Sequence, residues 1–371
     1  MITQSNLKSG SGIQVYRTAL ILSKSGHDVT VLYGYDKKFD NYFKVFENTN
    51  INVIRKPLDR LKIDFKTIKS IFLVREILKK EKYDLIYAFK GTALDFLILA
   101  SFGINLKIIA RRGMMNSLNF FNSRKYKMKK VKKIITITNA VKEVIEKTGN
   151  INPLKIEIVL TTINTKEFNK KKSTIRKELK ISEKDKIISF VGNESKIKGA
   201  KNLITVFEKL SEKFVDLKLI MVGISENYLN NIEINPKIKN KIFPLGFRDD
   251  VSNVLNGSDL YVYSGTGEEA LGTVIAEAQS CCLPVIITKS GGAVELIKNY
   301  ETGIIVEKNN NEMLIESIGY MFNNPKKAKE MGEKARAFVV KNMSSEAYLE
   351  KLNKLHHELD FSQDNNIKFK D

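Results

Sequence analysis

Short apolar runs recur along this chain, and a helical pattern separates most of them from the next. In the first half they fall at 29–33, 51–54, 85–88, 107–110, 134–138 and 156–160. In the second half they fall at 187–191, 217–222, 242–245, 260–263, 285–288 and 303–306. Helical patterns fill gaps of the first series near 14–24, 65–80, 94–102 and 140–147. Strands that alternate with helices build parallel sheets covered by helices on both faces. A polar, lysine-rich connector at 164–184 divides the two series. Each series therefore predicts one doubly wound α/β domain, with a cleft between the two.

The length of 371 residues fits that division, since one domain holds roughly 100–200 residues. The expected boundaries are 1–165, 166–345 and a closing helix with tail at 346–371 that packs back toward the first domain. Amphipathic helices near 311–322, 325–342 and 345–358 end the chain. The opening is abrupt: Met1 to Ser5 reads as the end of a first strand, and Lys8-Ser9-Gly10-Ser11-Gly12 as the loop after it. Either the first strand is short or the start is internal.

Composition excludes several classes. Cys281 and Cys282 are adjacent and the only cysteines, so no disulfide framework exists, and they read as small packed residues in a reducing cytoplasm. No apolar run approaches the roughly 18 residues of a membrane span, and no secretory signal is evident. The formal charge of +20 is lopsided: residues 1–170 hold 32 Lys and Arg against 14 Asp and Glu, while the remainder holds 30 against 28. A basic first domain implies an anionic partner, and a generally lysine-rich composition explains the total better than the imbalance.

The chemistry-bearing segments sit after apolar runs. Gly192-Asn193-Glu194-Ser195-Lys196-Ile197-Lys198-Gly199 follows one of them, and an ammonium beside a helix start near Ala200 suits phosphate. Ser264-Gly265-Thr266-Gly267 follows another and leads into Glu269, Ala270, Leu271, Gly272, Thr273 and, eight residues after Glu269, Glu277. A helix from about Gly272 to Ser280 would leave free amides at Ala270 to Thr273 for an anion. By spacing alone, Glu269 equally fits a helix cap and Glu277 an exposed helical carboxylate. Ser290-Gly291-Gly292 forms a third glycine turn into a helix.

The order Gly192…Lys198-Gly199, Leu245-Gly246-Phe247, Ser258 to Ser264, Glu269-x7-Glu277 and Pro284-Val285…Gly291-Gly292…Glu295 resembles the family 4 retaining glycosyltransferases of the GT-B fold. The first half resembles that family more loosely, through Gly10-Ser11-Gly12, Ser25 to Val31, Val131 to Val144 and the crossover Ile158 to Phe168. The resemblance implies two Rossmann-like domains facing a cleft. The first binds acceptor, through Gly10, Gly12, Arg111 and Arg112. The second binds a nucleoside-diphosphate sugar, a UDP-sugar first of all. It implies that Lys198 binds the diphosphate, Glu269 the donor sugar, Glu277 the ribose, and Gly192, Asn193 and Ala270 to Thr273 the phosphate and sugar. Leu245, Phe247 and Arg248 would border the base.

Three departures stand out. Asn193 replaces an arginine that commonly follows the glycine, which lowers donor affinity or changes the donor. Thr161-Thr162 replaces an Asn-Gly pair. Ala110-Arg111-Arg112-Gly113 stands where the family often has a histidine. The only histidines are His27, read as structural, and His356 and His357, read as solvated.

No Asp-x-Asp, no metal-ligand spacing and no Ser/His/Asp set is present, so the expected reaction uses neither metal nor cofactor. Lys198 and a helix N-terminus would stabilise the departing diphosphate, with Lys198 and Glu269 the expected catalytic pair. The expected product is a hexose on a glycan or lipid-linked acceptor, in polysaccharide or lipopolysaccharide assembly. Arg111, Arg112, Arg124, Lys125, Lys127, Lys129, Lys130, Lys132 and Lys133 lie near Phe120, Phe121 and Tyr126, a mixture suited to anionic lipid at the inner face of the membrane. A GT-B sugar-nucleotide epimerase is the rival enzyme, and a basic nucleic-acid- or membrane-binding protein without catalysis the rival of another class. No nucleic-acid motif supports a nucleic-acid partner. A dinucleotide oxidoreductase lacks its Gly-x-Gly-x-x-Gly.

Overall fold

The computed structural model describes residues 2–3, 10–34, 44–56 and 65–361. They form two compact units, Met1–Thr162 with Ser345–Asp371, and Ile163–Ser344. The first contains strands β1 (Ile2–Thr3), β2 (Thr30–Gly34), β3 (Asn52–Lys56), β4 (Ile86–Ala88), β5 (Ile108–Arg112), β6 (Val131–Thr136) and β7 (Ile156–Ile158). They form one parallel sheet in the order β3-β2-β1-β4-β5-β6-β7. The two-residue β1 is central, pairing Ile2 with Leu32 on one side and Ala88 on the other.

The second unit contains β8 (Lys186–Val191), β9 (Leu217–Val222), β10 (Ile242–Gly246), β11 (Leu260–Tyr263), β12 (Val285–Thr288) and β13 (Ile304–Val306). Their order is β10-β9-β8-β11-β12-β13, again all parallel. Every residue of β11 and β12 is buried. A strand covered on both faces needs apolar groups at successive positions, which explains continuous runs such as Val-Ile-Ile. The covering helices show the matching 3.6-residue period. In Ala200–Lys213, the residues Leu203, Phe207 and Leu210 are fully buried, and the lysine at its last position suits the negative end of the helix dipole.

Two layers of core flank the first sheet. Val74, Leu94, Leu97, Tyr126 and Ile145 pack on one face. On the other, helix Gly10–Lys24 supplies Val15, Ala19 and Leu22, and helix Ser345–Phe361 supplies Tyr348, Leu352 and Leu355. The Tyr348 hydroxyl is hydrogen-bonded to Thr18 at 3.1 Å. Among the described residues no helix is long and apolar enough to cross a membrane.

Several expectations are corrected. Gly10-Ser11-Gly12 is not a loop but the first turn of helix Gly10–Lys24. Glycine is a poor helix former, and here burial of Gly12, Gln14 and Val15 overrides propensity. Lys8 and Ser9 lie outside the described residues. Helix Phe120–Lys127 was not expected because its sequence carries no apolar period; it buries only Ser123 and Tyr126. The local signal was Asn119, whose side chain accepts from the Asn122 amide at 2.8 Å. His356 is not solvated: its Nε2 is 2.6 Å from the Tyr87 hydroxyl, and its ring meets that of His27 edge-on at 5.8 Å.

Leu352 is fully buried in the core beneath the closing helix. Leu352→Ala is therefore expected to cost about 2–5 kcal/mol. Calorimetry should show the loss as a lower melting temperature for the first unit, and an unchanged melting curve would refute this packing.

Candidate active site

In the second sheet β8 and β11 are neighbours, but the chain leaves β8 toward one edge and β11 toward the other. Loops beyond such a switch point diverge and leave room for a ligand. After β8 the chain passes Gly192 and a 3-10 turn at Lys196–Lys198 before helix Ala200–Lys213. Gly199 is left-handed, with φ of 79°. A Cβ there would collide with the Ser264 carbonyl, so only glycine permits this approach. The Ser264 hydroxyl closes it by donating to the Gly199 carbonyl at 2.8 Å.

This contact delivers Lys198 to the segment after β11. Its ammonium forms an ion pair with the Glu269 carboxylate and lies 6.0 Å above the Tyr263 ring. Their side chains are 29% and 16% exposed, so the pair is partly shielded yet reachable. Burial, followed by the Glu269 charge, pushes the Tyr263 phenol well above its ordinary value.

Ser290 holds Glu269 in place, a role the sequence offered only as part of a glycine turn. Its hydroxyl accepts from the Glu269 amide at 2.9 Å and donates to the Gly267 carbonyl at 2.7 Å. The Gly292 amide donates to the Glu269 carbonyl at 2.8 Å. The expected helix after this turn is instead a 3-10 segment, Gly291–Leu296. Gly291 is left-handed and a Cβ there would collide with the Glu269 carbonyl, while the Ala293 amide closes a tight turn onto the Ser290 carbonyl at 2.9 Å.

Helix Thr273–Ser280 starts after Gly272, which is left-handed and has no side chain to cap it. First-turn amides at such an end favour an anion. Glu269 stands before the helix and pairs with Lys198, so it acts as a salt-bridge partner rather than as the residue at the cap position. Glu277 is half-buried on the helix. Burial raises the phenol of fully buried Tyr261, and Tyr263, Glu269 and Glu277 add to the effect in that order. Both carboxylates therefore act on one buried floor.

The remaining expected donor residues differ in how free they are. Asn193 is exposed, and its side chain accepts from the Ser195 amide at 3.2 Å. Leu245 and Gly192 are half-buried, and Phe247 is 62% exposed. The Arg248 guanidinium is committed to the protein. It donates to Glu178 at 2.5 and 3.1 Å and to Asp250 at 2.7 and 2.8 Å.

In the first unit, Arg111 is buried at the carboxyl end of β5. It donates to the Thr161 hydroxyl at 2.9 Å and lies 5.7 Å over the Phe89 ring. Burial pushes its guanidinium below the ordinary value, against the Tyr348 contribution. Gln14 and Arg17 both donate to the Thr162 carbonyl, at 3.3 and 3.1 Å. Thus Thr161-Thr162, a departure from the family pattern, is a gathering point for polar groups. Arg112 donates to the Asn116 carbonyl.

The expected basic cluster around it does not form one free surface. Arg111 is buried, Lys125 pairs with Asp95 at 2.8 Å, and Lys133 bridges Glu157 and Glu358 at 3.0 and 2.9 Å. Lys130 donates to the Ser101 carbonyl. Sequence proximity could not reveal these long-range partners.

A separate hollow of about 340 Å³ opens at the amino ends of β8, β11 and β12, beside Lys186, Asp259, Cys282 and Phe322. Ligands of open parallel sheets, by contrast, bind beyond the carboxyl ends. The chemistry of this unit gathers there instead.

Residues 171–338 match the family described as Glycosyl transferases group 1, and residues 8–167 match Glycosyltransferase Family 4. The chain is 28% identical over 344 residues to an uncharacterized glycosyltransferase of Haemophilus influenzae, covering 89% of this chain and 92% of that one. Its fold is similar to the crystal structure of a glycosyltransferase from Rickettsia africae, with a TM-score of 0.86, 24% identity and coverage of 96% and 97%. It is also similar to Anabaena HepE in complex with UDP, with a TM-score of 0.82, 18% identity and coverage of 96% and 98%. Two Rossmann-like sheets with these likenesses define the GT-B fold. The chain belongs to glycosyltransferase family 4.

The Arg248 clamp has a pH signature. Hydrogen bonds from Arg248 are the main reason the Asp250 carboxyl falls from 3.8 to about 2. A depressed folded-state value gives stability that is complete above 3.8 and lost as pH falls through about 2. Asp250 is 46% exposed, so salt should weaken the effect. In Asp250→Asn, stability measured across that acid range is expected to fall less steeply with pH than in the wild type. Identical acid limbs would show that the clamp contributes nothing.

Proposed function

We propose that this glycosyltransferase moves a hexose-type sugar from a UDP-sugar to a glycan or lipid-linked acceptor, with retention of configuration and without a metal. The observation that carries the reading is the partly exposed Lys198–Glu269 pair at the carboxyl ends of β8 and β11, beside a helix start with no capping side chain. A diphosphate bound there would compete with Glu269 for the Lys198 ammonium. Glu269, released, would accept hydrogen bonds from hydroxyls of the donor sugar. Glu277 would accept from the ribose hydroxyls, and the amides of Ala270 to Thr273 would meet phosphate and sugar. With Arg248 clamped, Leu245, Phe247 and backbone groups would border the base. Anabaena HepE in complex with UDP supports the choice of a uridine donor.

In the proposed step the acceptor oxygen bonds to the anomeric carbon as the bond to the diphosphate oxygen breaks. The acceptor proton passes to that departing oxygen, so no protein base is required. Lys198 and the helix N-terminus balance the growing negative charge, electrostatic help worth most where water is excluded. The buried Arg111, with Arg112 and the helix start at Gly10 and Gly12, would take an anionic portion of the acceptor. A lipid-linked acceptor would bring the protein to the inner face of the cytoplasmic membrane, in surface polysaccharide or lipopolysaccharide assembly.

Calorimetric titration of UDP tests the donor site. Wild-type protein should bind, and Glu277→Ala should bind about 10- to 100-fold more weakly, the loss of charge-assisted hydrogen bonds. Equal affinity in both would remove Glu277 from the ribose site. Donor turnover followed by NMR should yield a product with the anomeric configuration of the donor, at a rate indifferent to EDTA. Inversion would reject retention, and a chelation-sensitive rate would reject metal independence.

A further inference from the structure

Helix Phe65–Lys80 is built with its apolar side reversed over its first half. Thr67 and Ser70 are buried there, while Phe65, Ile68 and Phe72 are 90%, 50% and 62% exposed. These three positions follow helical spacing and share one face. Further along, Val74 and Leu78 anchor the helix to the sheet in the ordinary way. Lone exposed hydrophobics are common, but a helical stripe with hydroxyls turned inward has no partner among the described residues.

The next helix extends the stripe. Arg75 lies one turn past Phe72 and donates to the carbonyls of Ala100 and Phe102, at 2.9 and 2.6 Å. That brings the end of helix Gly91–Ala100, with Leu99 and Phe102 exposed, alongside the Phe72 turn. Phe102 is 82% exposed. Lys130 also reaches this end through Ser101.

The charges of helix Phe65–Lys80 are mostly positive, and the one charge of helix Gly91–Ala100, Asp95, is paired with Lys125. Lys66, Lys69, Lys79 and Lys80 are exposed on helix Phe65–Lys80. Its only acid, Glu76, lies 3.7 Å from Lys79. Alternating phenylalanine and lysine on an outward helical face is the pattern of an interfacial helix on acidic headgroups.

We propose that the outer face of helices Phe65–Lys80 and Gly91–Ala100 docks on an anionic lipid bilayer. Phe65, Ile68, Phe72 and Phe102 enter the headgroup layer, and Lys66, Lys69, Lys79 and Lys80 meet lipid phosphates. A second copy of the chain is a poorer occupant, because a two-fold contact would set the same lysines against each other. This face differs from the 111–133 cluster expected from sequence. Its biological sense rests on the lipid-linked acceptor proposed above, although binding to vesicles does not require that reading.

Co-sedimentation with phosphatidylglycerol-containing vesicles, against pure phosphatidylcholine vesicles, tests the surface. Wild type should be retained on the anionic vesicles only, and less so at high salt. Phe72→Ser with Phe102→Ser should weaken retention about tenfold or more. Lys66→Glu with Lys69→Glu should weaken it about 25-fold or more, from roughly fivefold per lysine. All variants should keep the wild-type melting temperature and UDP affinity, which separates failure of this surface from failure of the donor site. Retention that ignores lipid charge, or that survives both pairs of substitutions, overturns the proposal. So does a dimer in the wild type that Phe72→Ser dissociates without any vesicle binding.

Discussion

Parallel strands covered on both faces leave the chain few places for polar chemistry. Every residue of β11 and β12 is buried, so a charge along them would be stranded in the core. The strand ends are the exception, and the carboxyl ends also meet helix N-termini, which favour anions. The whole arrangement of the second unit follows from that constraint. Lys198, Glu269 and Ser290 all lie on segments that leave the carboxyl ends of strands, while the runs that lead to them are apolar.

What turns these segments into a site is backbone packing. Gly199 pressed on Ser264 sets where the ammonium starts. Ser290, held between Gly267 and Glu269, sets where the carboxylate starts. Each side chain is thereby anchored at its base, and preorganisation of this kind would lower the ordering cost of binding a ligand. The ion pair between them satisfies two partly buried charges that would otherwise be costly to leave unpaired.

The first unit distributes its positive charge differently from its linear order. Arg111 is drawn into the interior beside Thr161 and Phe89. Lys125 and Lys133 are balanced by distant acids. The charge left on the surface of helix Phe65–Lys80 keeps company with exposed phenylalanines instead. A net charge says that an anionic partner is plausible, but only exposure says which lysines can meet it.

The sequence by itself determined the strand and helix alternation, because burial on both faces demands apolar runs whose position can be read directly. Leu217–Val222, Leu260–Tyr263 and Phe65–Lys80 fall where the pattern puts them. It also marked Lys198 and Glu269 as polar groups beside strand ends. It could not show that Gly10 opens a helix, that Phe120–Lys127 is helical, or that Arg248 is clamped by Glu178 seventy residues away. Nor could it show Ser290 bridging to Glu269 or the hydroxyl-inward face at Thr67 and Ser70. Those features depend on which distant surfaces meet. Local periodicity records whether a residue is apolar, whereas contacts across the sheet decide which partner it finds.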